Sequence, residues 1–451
     1  MTGIKVALHN LGCKVNQYET DAMAQHLKNA GYEIVSFEEK ADVYIINTCT
    51  VTNMADRKSR QILHKAKKMN EAAVVVAAGC YVQAAGEELK KDKSIDIIVG
   101  NNKKEDIVEI LNNYFNLNKI EDRIIDINKS CEYEALTLTD KSMDHTRVFL
   151  KIQDGCNQFC TYCIIPYARG RIRSKDINVV EEEAEIISKQ GVKEIVLTGI
   201  HLSSYGKNYR ENTVVQEDYS LLTAIERVSK IEEIARIRLG SLEPGIITHE
   251  FLKGVKKIEK FCPHFHLSLQ SGCDTVLKRM NRKYTSEEYL EKCTMIRKYY
   301  PDAAITTDII VGFPEENDEE FNKTLEFVNK VRFAKIHVFK YSMRKGTMAA
   351  KMKNQVDDTI KTQRSDILIN EEKKIRQQFL ESFVGKTEEV LLEEKEVING
   401  QVYWCGYTKQ YVRVAIPING INEEYENKIA IVNVIKVLNS ENLLAETVKM
   451  Y

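Results

Sequence analysis

Short apolar runs alternate with helix-length segments through most of this 451-residue chain, and this alternation limits the possible folds more than any other feature. Between residues 5 and 116 the apolar runs are 6–11, 42–47, 73–78 and 95–99, and a helical pattern follows each of them. This order predicts a parallel sheet covered by helices, a Rossmann-like α/β domain over residues 1–118.

Six further apolar runs lie far enough apart to leave room for helices, at 148–152, 194–198, 234–239, 265–269, 305–311 and 335–339. Six βα units predict a partial (β/α)6 barrel of the TIM type over residues 142–375. The polar residues 119–141 before it are expected to form a linker. After a charged helical stretch at 357–382, five short alternating runs predict a small OB-like β-barrel over residues 380–449.

Three cysteines with the spacing C-x-x-x-C-x-x-C, Cys156, Cys160 and Cys163, fall in the loop after the first barrel strand. Barrel enzymes place their chemistry at that end of the strands. Three thiolates can hold a cubane iron-sulfur cluster and leave one iron free, whereas an electron-transfer cluster normally has four protein ligands. The free iron would bind S-adenosylmethionine, a cofactor of radical enzymes. A zinc site or unpaired core thiols are the alternatives, although no fourth thiol lies nearby.

Three other cysteines each follow a predicted strand of the first domain, namely Cys13, Cys49 and Cys80. The carboxyl ends of parallel strands lie along one edge of a sheet, where ligands bind. We therefore predict a second three-thiolate cluster at this edge. Cysteine is also a common small core residue, which leaves chance placement as the alternative.

Seven small or polar residues are expected at the same end of the barrel as the C-x-x-x-C-x-x-C loop: Gly199, His201, Ser241, Glu243, Ser268, Gln270 and Asp308. The ammonium of a methionine needs acceptors, and a ribose needs paired hydrogen-bond partners. Glu243, Gln270 and Asp308 could supply both, so the set is predicted to bind S-adenosylmethionine. Each residue taken singly is also compatible with a rim residue that bonds a neighbouring backbone.

Composition limits the cellular setting and the partners. The chain has 11 Cys, an odd number, and no apolar leader at its start, which favours a reducing compartment and a cytoplasmic protein. No apolar stretch is long enough for a membrane span. The net charge of -1 gives no general attraction to nucleic acid. Aromatic residues of the terminal barrel are suited either to stacking on bases or to core packing: Tyr403, Trp404, Tyr407 and Tyr411.

The three parts together resemble the methylthiotransferase family of radical S-adenosylmethionine enzymes across essentially the whole chain. The resemblance lies in the three spaced cysteines of the first domain, the C-x-x-x-C-x-x-C motif and a terminal barrel of the TRAM type. The segments Leu-Gly-Cys13-Lys-Val-Asn-Gln-Tyr-Glu-Thr and Leu-Thr-Gly-Ile-His-Leu are similar to the MtaB type of the family. One departure is Phe313-Pro314-Glu315-Glu316, which lacks the glycine often found after Phe-Pro.

The resemblance implies two 4Fe-4S clusters with different tasks. Cys156, Cys160 and Cys163 would hold the cluster that cleaves S-adenosylmethionine to a 5'-deoxyadenosyl radical, and Cys13, Cys49 and Cys80 would hold an auxiliary cluster that carries sulfur. A second S-adenosylmethionine would supply the methyl group.

The substrate implied by the MtaB type is N6-threonylcarbamoyladenosine beside the anticodon of tRNA, methylthiolated at carbon 2. An electron donor such as flavodoxin or ferredoxin and a sulfur source are the further partners. The alternatives are isopentenyladenosine in tRNA, a ribosomal protein, or a non-catalytic iron-sulfur protein that binds RNA.

Overall fold

The computed structural model describes residues 3–117, 119–120, 122–139, 146–207, 219–418 and 424–451. The chain begins with an α/β unit whose elements are β1 (Lys5–Asn10), α1 (Lys14–Asn29), β2 (Glu33–Val35), β3 (Val43–Thr48), α2 (Asn53–Met69), β4 (Val74–Gly79), α3 (Cys80–Leu89), β5 (Ile97–Val99) and α4 (Ile107–Leu117). The sheet order is β2-β1-β3-β4-β5, and every pair of neighbouring strands is parallel. The predicted helix-covered parallel sheet is confirmed.

The strand order reverses between β1 and β3, because the chain passes from β1 to one side of the sheet and from β3 to the other. The crevice outside the carboxyl ends of two such strands is where open α/β sheets bind ligands. The edge strand β2 was not predicted. It has three residues, none of them fully buried, so it leaves almost no apolar pattern in the sequence.

Residues 122–139, expected to be a linker, are packed against the domains that they join. Arg123 forms a parallel bridge with Val99 at the edge of the first sheet. Further along the segment, Ile127, Leu136 and Leu138 are almost completely buried. The segment is therefore part of the packed structure, and its few apolar residues belong to the core, although its polar composition predicted a linker.

The middle of the chain contains six parallel strands with helices between them. Its elements are β6 (Arg147–Asp154), α5 (Ile165–Ala168), β7 (Arg173–Ser174), α6 (Ile177–Ser188), β8 (Glu194–Gly199), α7 (Leu221–Ser229), β9 (Arg236–Leu239), α8 (His249–Lys256), β10 (His264–His266), α9 (Asp274–Arg279), α10 (Ser286–Tyr299), β11 (Ala304–Val311), α11 (Asp318–Val331), β12 (Lys335–Lys340) and α12 (Asp358–Glu381).

The six strands of this barrel run in the order β6, β8, β9, β10, β11, β12. Regular ladders join β6 to β8 to β9 and β10 to β11 to β12. Isolated parallel bridges, Ile237 to Phe261 and Leu242 to Leu267, connect the two halves. The predicted partial barrel is confirmed. The two-residue strand β7 pairs antiparallel with the end of β6 and was not foreseen.

Alternate residues of the barrel strands face two different environments, as strand geometry requires. One set, which includes Leu150, Ile195 and Ile305, packs in the core beneath the helices. The opposite set points to the inside of the barrel, which we call the lumen. It is rich in polar groups, among them Arg238 and His266.

The last part of the chain forms a closed five-stranded barrel, here called the terminal barrel. Its strands are β13 (Thr387–Ile398), β14 (Gln401–Thr408), β15 (Arg413–Pro417), β16 (Ile429–Val437) and β17 (Asn442–Met450). The order around the barrel is β13-β14-β15-β17-β16. Trp404 and Tyr403 are buried in it, so these two aromatic residues pack in the core.

The turn between β14 and β15 closes the amino-terminal end of the lumen. Arg236, at the start of β9, donates to the carbonyl oxygen of Tyr407 at 2.7 Å. Arg238 donates to the carbonyl oxygen of Lys409 at 2.9 Å. The ring of Tyr411 stacks on that of Tyr407 with 4.6 Å between centroids. These contacts make the terminal barrel the floor of the larger one.

Candidate functional site

The loop that carries Cys156, Cys160 and Cys163 follows β6 and is held tightly at its base. Gly155 has φ +71, and a side-chain carbon there would lie 1.8 Å from the carbonyl oxygen of Arg171, so only glycine fits. The amide of Cys156 donates to the carbonyl oxygen of Gly170 at 3.0 Å, and that of Cys163 donates to Cys160 at 2.9 Å. All three thiols therefore emerge from one fixed turn at the carboxyl end of the barrel.

Two donors point at the sulfurs of this loop. Nη1 of Arg282 donates to Sγ of Cys160 at 3.2 Å, and the amide of Gln158 donates to Sγ of Cys156 at 3.4 Å. Burial raises the pKa of the Cys156 thiol, and it raises that of Cys163 to about 12. Thiols in such a site ionise when a metal replaces the proton, and the donors suit the thiolates that a cluster requires.

The second set of thiols lies at the switch point of the first sheet. Cys13 follows β1, Cys49 follows β3 and Cys80 follows β4, and these three strands are neighbours. Gly12 has φ +122, and a side-chain carbon added there would lie only 3.0 Å from Cβ of Cys49. Burial raises the pKa of Cys49 to about 11. The three thiols thus lie at one edge of the sheet, and their role as ligands of a cluster stays a prediction.

The spacing of the sulfurs bears on which metal group fits. Among the described residues, neither cysteine triplet brings its three sulfurs within 4.8 Å of one another. A single tetrahedral zinc ion, with Zn–S about 2.3 Å, holds its sulfurs about 3.8 Å apart. A cubane cluster holds its ligand sulfurs farther apart because its own iron and sulfide atoms lie between them. The residues therefore fit a cluster better than a single ion.

A buried arginine connects the two cysteine sites. Arg169 lies six residues after Cys163 and donates from Nε to Sγ of Cys80 at 3.2 Å. Its Nη1 lies 2.8 Å from an oxygen of Glu19 in α1 and 3.2 Å from Asp154. Asn101 donates to Sγ of Cys80 at 3.4 Å and to the carbonyl oxygen of Ala168 at 2.8 Å. The end of the first cysteine loop thus packs directly against a cysteine of the second set.

Glu19 is the centre of the charges buried between the two domains. Its carboxylate lies 3.0 Å from Nζ of Lys104 and 2.7 Å from Nζ of Lys151. Lys151 also pairs with Asp154 at 2.7 Å. Despite burial, the pKa of Glu19 is held well below its ordinary value by Arg169 and the two lysines. The network keeps buried ionised groups paired across the domain boundary.

Three of the predicted S-adenosylmethionine contacts gather beside the first cysteine loop. Gly199 ends β8, where a side chain would clash with Gln153. The ring of His201 lies 3.2 Å from the side-chain nitrogen of Gln158. His201 and Glu243 line one cavity of about 610 Å³. Glu243 is bound by Arg282 at 2.6 and 2.8 Å, so its carboxylate already has a cationic partner.

The other predicted contacts are spread around the rim. Ser241 is exposed. The carbonyl oxygen of Ser268 accepts from Nη2 of Arg282 at 3.2 Å. Gln270 has φ +74 and pairs through its backbone with β11. Their roles toward S-adenosylmethionine stay predictions.

Asp308 lies inside the lumen between two imidazoles. Its Oδ2 is 3.3 Å from Nε2 of His266, and it pairs in register with His337 on β12. One ligand atom from each of these residues lies within 4.8 Å of the other two. The proposed acceptor for an ammonium therefore has histidine neighbours that the sequence did not place beside it.

Three cations of the site were missed by the sequence reasoning: Arg169, Arg282 and Lys14. Arg169 and Arg282 do not directly follow a predicted strand, which was the criterion for the candidate set. Lys14 was visible only as part of the segment around Cys13. Burial lowers its pKa to about 8.

Two families match this chain in different regions. Residues 5–100 match the Uncharacterized protein family UPF0004, and residues 150–328 match the Radical SAM superfamily. The Threonylcarbamoyladenosine tRNA methylthiotransferase MtaB of Bacillus subtilis is 41% identical over 411 residues, which are 91% of this chain and 89% of that protein. The MtaB of Aquifex aeolicus is 42% identical over 87% of this chain and 93% of its own length.

The chain belongs to the radical S-adenosylmethionine methylthiotransferase family. Within the family it is of the MtaB type. A tRNA-2-methylthio-N(6)-dimethylallyladenosine synthase from Thermodesulfovibrio yellowstonii is also similar, with 36% identity over 88% of this chain and 89% of that protein. As a radical S-adenosylmethionine methylthiotransferase, the enzyme uses S-adenosylmethionine and a 4Fe-4S cluster.

The fold of this methylthiotransferase is also similar to that of solved enzymes. The radical S-adenosylmethionine methyltransferase TsrM from Kitasatospora setae superposes with a TM-score of 0.56, covering 75% of each chain at 14% identity. At that identity the likeness concerns the fold alone. Within the described ranges, every helix is too short or too polar to cross a bilayer.

Proposed function

We propose that this enzyme inserts a methylthio group at carbon 2 of N6-threonylcarbamoyladenosine next to the anticodon of tRNA. The observation that carries the proposal is the contact between the two three-cysteine sites, where Arg169 reaches Sγ of Cys80 at 3.2 Å. A radical source and a sulfur source are the two parts that such a reaction needs. The relatives of the MtaB type act, by their names, on the same nucleoside.

Two clusters are part of the proposal. When bound, the group at Cys156, Cys160 and Cys163 supplies reductive cleavage of S-adenosylmethionine, and the group at Cys13, Cys49 and Cys80 supplies the sulfur. Arg282 would stabilise the thiolate of Cys160, to which it donates at 3.2 Å, while it also fixes the carboxylate of Glu243. Arg169 would do the same for Cys80.

The remaining partners follow from the chemistry. Carbon 2 of adenine is an unactivated position that acid–base catalysis does not functionalise, so a cofactor must carry the step. The chain would need an electron donor such as flavodoxin or ferredoxin and a sulfur source, and the reducing conditions point to the cytoplasm. All eleven cysteines are free of disulfides, which agrees with that setting.

The chemistry of the lumen favours threonylcarbamoyladenosine over isopentenyladenosine, the alternative that the second group of relatives would suggest. The lumen presents cationic and imidazole groups, among them Lys14, His266 and His337. A branched hydrocarbon substituent would bury apolar surface against these groups without satisfying them. A substituent with a carboxylate, a hydroxyl and amide groups would satisfy them.

Nucleoside mass analysis of tRNA from a deletion strain tests the substrate. We expect the 2-methylthio form of threonylcarbamoyladenosine to disappear and to return with the wild-type gene. Its persistence, together with loss of 2-methylthio-isopentenyladenosine, would assign the enzyme to the alternative substrate.

Iron content tests the two clusters. Anaerobically reconstituted protein should hold about eight irons per chain, and replacing Cys156, Cys160 and Cys163 by Ala should remove about half of them. Cys49→Ala should keep S-adenosylmethionine cleavage and abolish sulfur insertion. Loss of both activities in Cys49→Ala would indicate that the first domain has a structural role instead.

A further inference from the structure

Most of the strong cations around the lumen are neutralised within the protein. Arg147 donates to both carboxylate oxygens of Glu393 at 2.6 and 2.7 Å. Arg238 donates to both oxygens of Glu194 at 2.7 and 3.1 Å. These arginines therefore hold the floor of the barrel together and have no charge to offer to a ligand.

Lys14 differs from these arginines. It is the first residue of α1 and is partly buried, with Nζ 5.8 Å from the centre of the Phe149 ring. In the described part of the chain no carboxylate lies within 4.0 Å of its ammonium, and no acceptor receives a hydrogen bond from it. An ammonium withdrawn from water without a partner is unfavourable. The site is thus prepared for an anion that comes from outside the chain.

The position of Lys14 places it between the sulfur-carrying site and an open cavity. Its neighbour in sequence is Cys13 of the second cysteine set. On its other side, Phe149 and Gln17, one turn along α1, line a cavity of about 710 Å³. Trp404 and Tyr411 of the terminal barrel line the same cavity. Through Phe149 and Gln17, Lys14 is therefore adjacent to this cavity as well as to Cys13.

We propose that Lys14 binds the carboxylate of the threonylcarbamoyl group and so selects the nucleoside that carries it. This inference rests on the proposed function. The threonine part of the substituent keeps a free carboxylate, which is ionised at neutral pH. An ammonium that has no carboxylate partner in the described part of the protein pairs with it, whereas an isopentenyl group offers no charge. Lys14 is then a binding residue for the substituent and takes no part in the radical step.

A different explanation is that the ammonium only balances the negative charge of a cluster at Cys13. Both explanations require a positive charge at position 14, so stability or iron content does not separate them. They differ in what the charge does for the substrate. Only the proposed role makes binding depend on the carboxylate of the RNA.

Binding to three anticodon stem-loop RNAs separates the two roles without measuring turnover. The first RNA carries threonylcarbamoyladenosine, the second carries its neutral primary amide, and the third carries unmodified adenosine. Each is titrated by fluorescence anisotropy into reconstituted wild-type protein and into Lys14→Met, Lys14→Arg and Lys28→Met. Lys28 is an exposed lysine near the end of the same helix, so its loss is a matched change of charge.

We expect the wild type to bind the carboxylate RNA about 10- to 100-fold more tightly than the amide RNA. Lys14→Met should lose this preference and keep its affinity for the amide RNA, while Lys14→Arg and Lys28→Met keep the preference. Equal weakening of both RNAs by Lys14→Met, with the preference intact, would overturn the inference and favour charge balance at the cluster.

The result for the wild type distinguishes failure of the inference from failure of the proposed function. If the wild type binds the carboxylate and amide RNAs equally, and both better than unmodified RNA, the role of Lys14 is wrong and the substrate stands. If neither modified RNA binds better than the unmodified one, the proposed substrate is wrong, and the role of Lys14 is rejected with it.

Discussion

Nε of Arg169 lies 3.2 Å from Sγ of Cys80, although the two residues belong to different domains and are 89 positions apart. The same guanidinium donates to Asn16 at 2.6 Å and to Glu19 at 2.8 Å. One side chain therefore contacts a cysteine of the second set and also pairs with the charges that hold the domains together. The geometry of the thiols and the docking of the domains depend on each other.

Arg169→Met should destabilise the protein strongly. It would leave the buried carboxylates of Glu19 and Asp154 without one of their cations, and breaking a buried ion pair in this way costs about 3–5 kcal/mol. The free energy of unfolding in urea measures the loss. Arg57→Met, on the exposed face of α2, is the control and should change it by less than about 0.5 kcal/mol. A small effect at position 169 would show that the network contributes little.

Arg282→Met should lower the reduction potential of the cluster proposed at Cys156, Cys160 and Cys163. Reduction adds negative charge, and the guanidinium that donates to Cys160 favours the more negative state. Removing it should shift the potential downward by on the order of 50 mV. A redox titration followed by electron paramagnetic resonance measures the shift. It is done in protein in which Cys13, Cys49 and Cys80 are replaced by Ser, so that only one cluster contributes.

Arg282→Lys is the matched control, because it keeps the charge but cannot reach Cys160 and Glu243 with a planar fork. Its potential should lie between the other two. A potential unchanged in Arg282→Met would mean that the contact orients the loop and does not tune the cluster.

Stability should fall in acid because of Glu194. Although burial raises the pKa of this carboxyl, the pairing with Arg238, Arg147 and Arg236 outweighs it and holds the pKa at about 2. A depressed folded-state pKa stabilises the protein above the unfolded value of ~4.5 and loses this effect as pH falls toward 2. Between about pH 6 and about pH 3 the loss should reach about 2 kcal/mol.

Urea unfolding at several pH values tests this prediction with Glu194→Gln. The variant is less stable at neutral pH because its arginines lose a carboxylate, but its stability should depend less on pH than that of the wild type. Parallel pH curves for the two proteins would contradict the assignment.

Glu315→Gly should stabilise the protein. Glu315 occupies the position after Phe-Pro where the family often has glycine, and its φ of +67 is the left-handed conformation that favours glycine. Relief of the left-handed strain outweighs the entropy cost of glycine by about 0.5–1 kcal/mol. Thermal unfolding should show a higher midpoint, and Glu319→Gly, in the exposed first turn of α11, should lower it. A lower midpoint for Glu315→Gly would mean that contacts of the Glu315 side chain stabilise the protein by more than its left-handed backbone costs.

Tyr411→Ala should loosen the floor of the lumen. The ring lies 4.9 Å from the guanidinium of Arg147, 4.7 Å from that of Arg238, and stacks on Tyr407. These contacts are worth about 1–3 kcal/mol together. Hydrogen exchange of the amides at 408–412 should become faster, whereas Tyr411→Phe should leave it unchanged. Equal exchange rates in all three proteins would mean that the hydrogen bonds to the backbone of the turn, and not the Tyr411 ring, stabilise this region.

The sequence predicted the parts of the structure that depend on local pattern. The strands follow from apolar runs, and the rule that parallel strands end at one edge put Cys13, Cys49 and Cys80 after neighbouring strands, where the structure has them. The loop departure at Glu315 was also visible, although its backbone conformation was not.

The contact partners of long charged side chains could not be predicted from the sequence. Arg169, Arg282 and Lys14 look like ordinary solvated cations, because nothing in periodicity distinguishes a guanidinium aimed at a sulfur from one in water. Glu243 was taken as a free acceptor for the same reason, and its pairing with Arg282 arises only when two distant loops meet. Short edge strands such as β2 and β7 carry too few residues to form a pattern.

The turn between β14 and β15 attaches the terminal barrel to the larger barrel. Arg236 and Arg238 donate from inside the larger barrel to the carbonyl oxygens of Tyr407 and Lys409. These hydrogen bonds fix the position of the terminal barrel relative to the larger one. The terminal barrel is therefore held in one position and does not move about a flexible connection. If the proposed tRNA substrate contacts the terminal barrel, the part it contacts would lie at a fixed distance from the two cysteine sites.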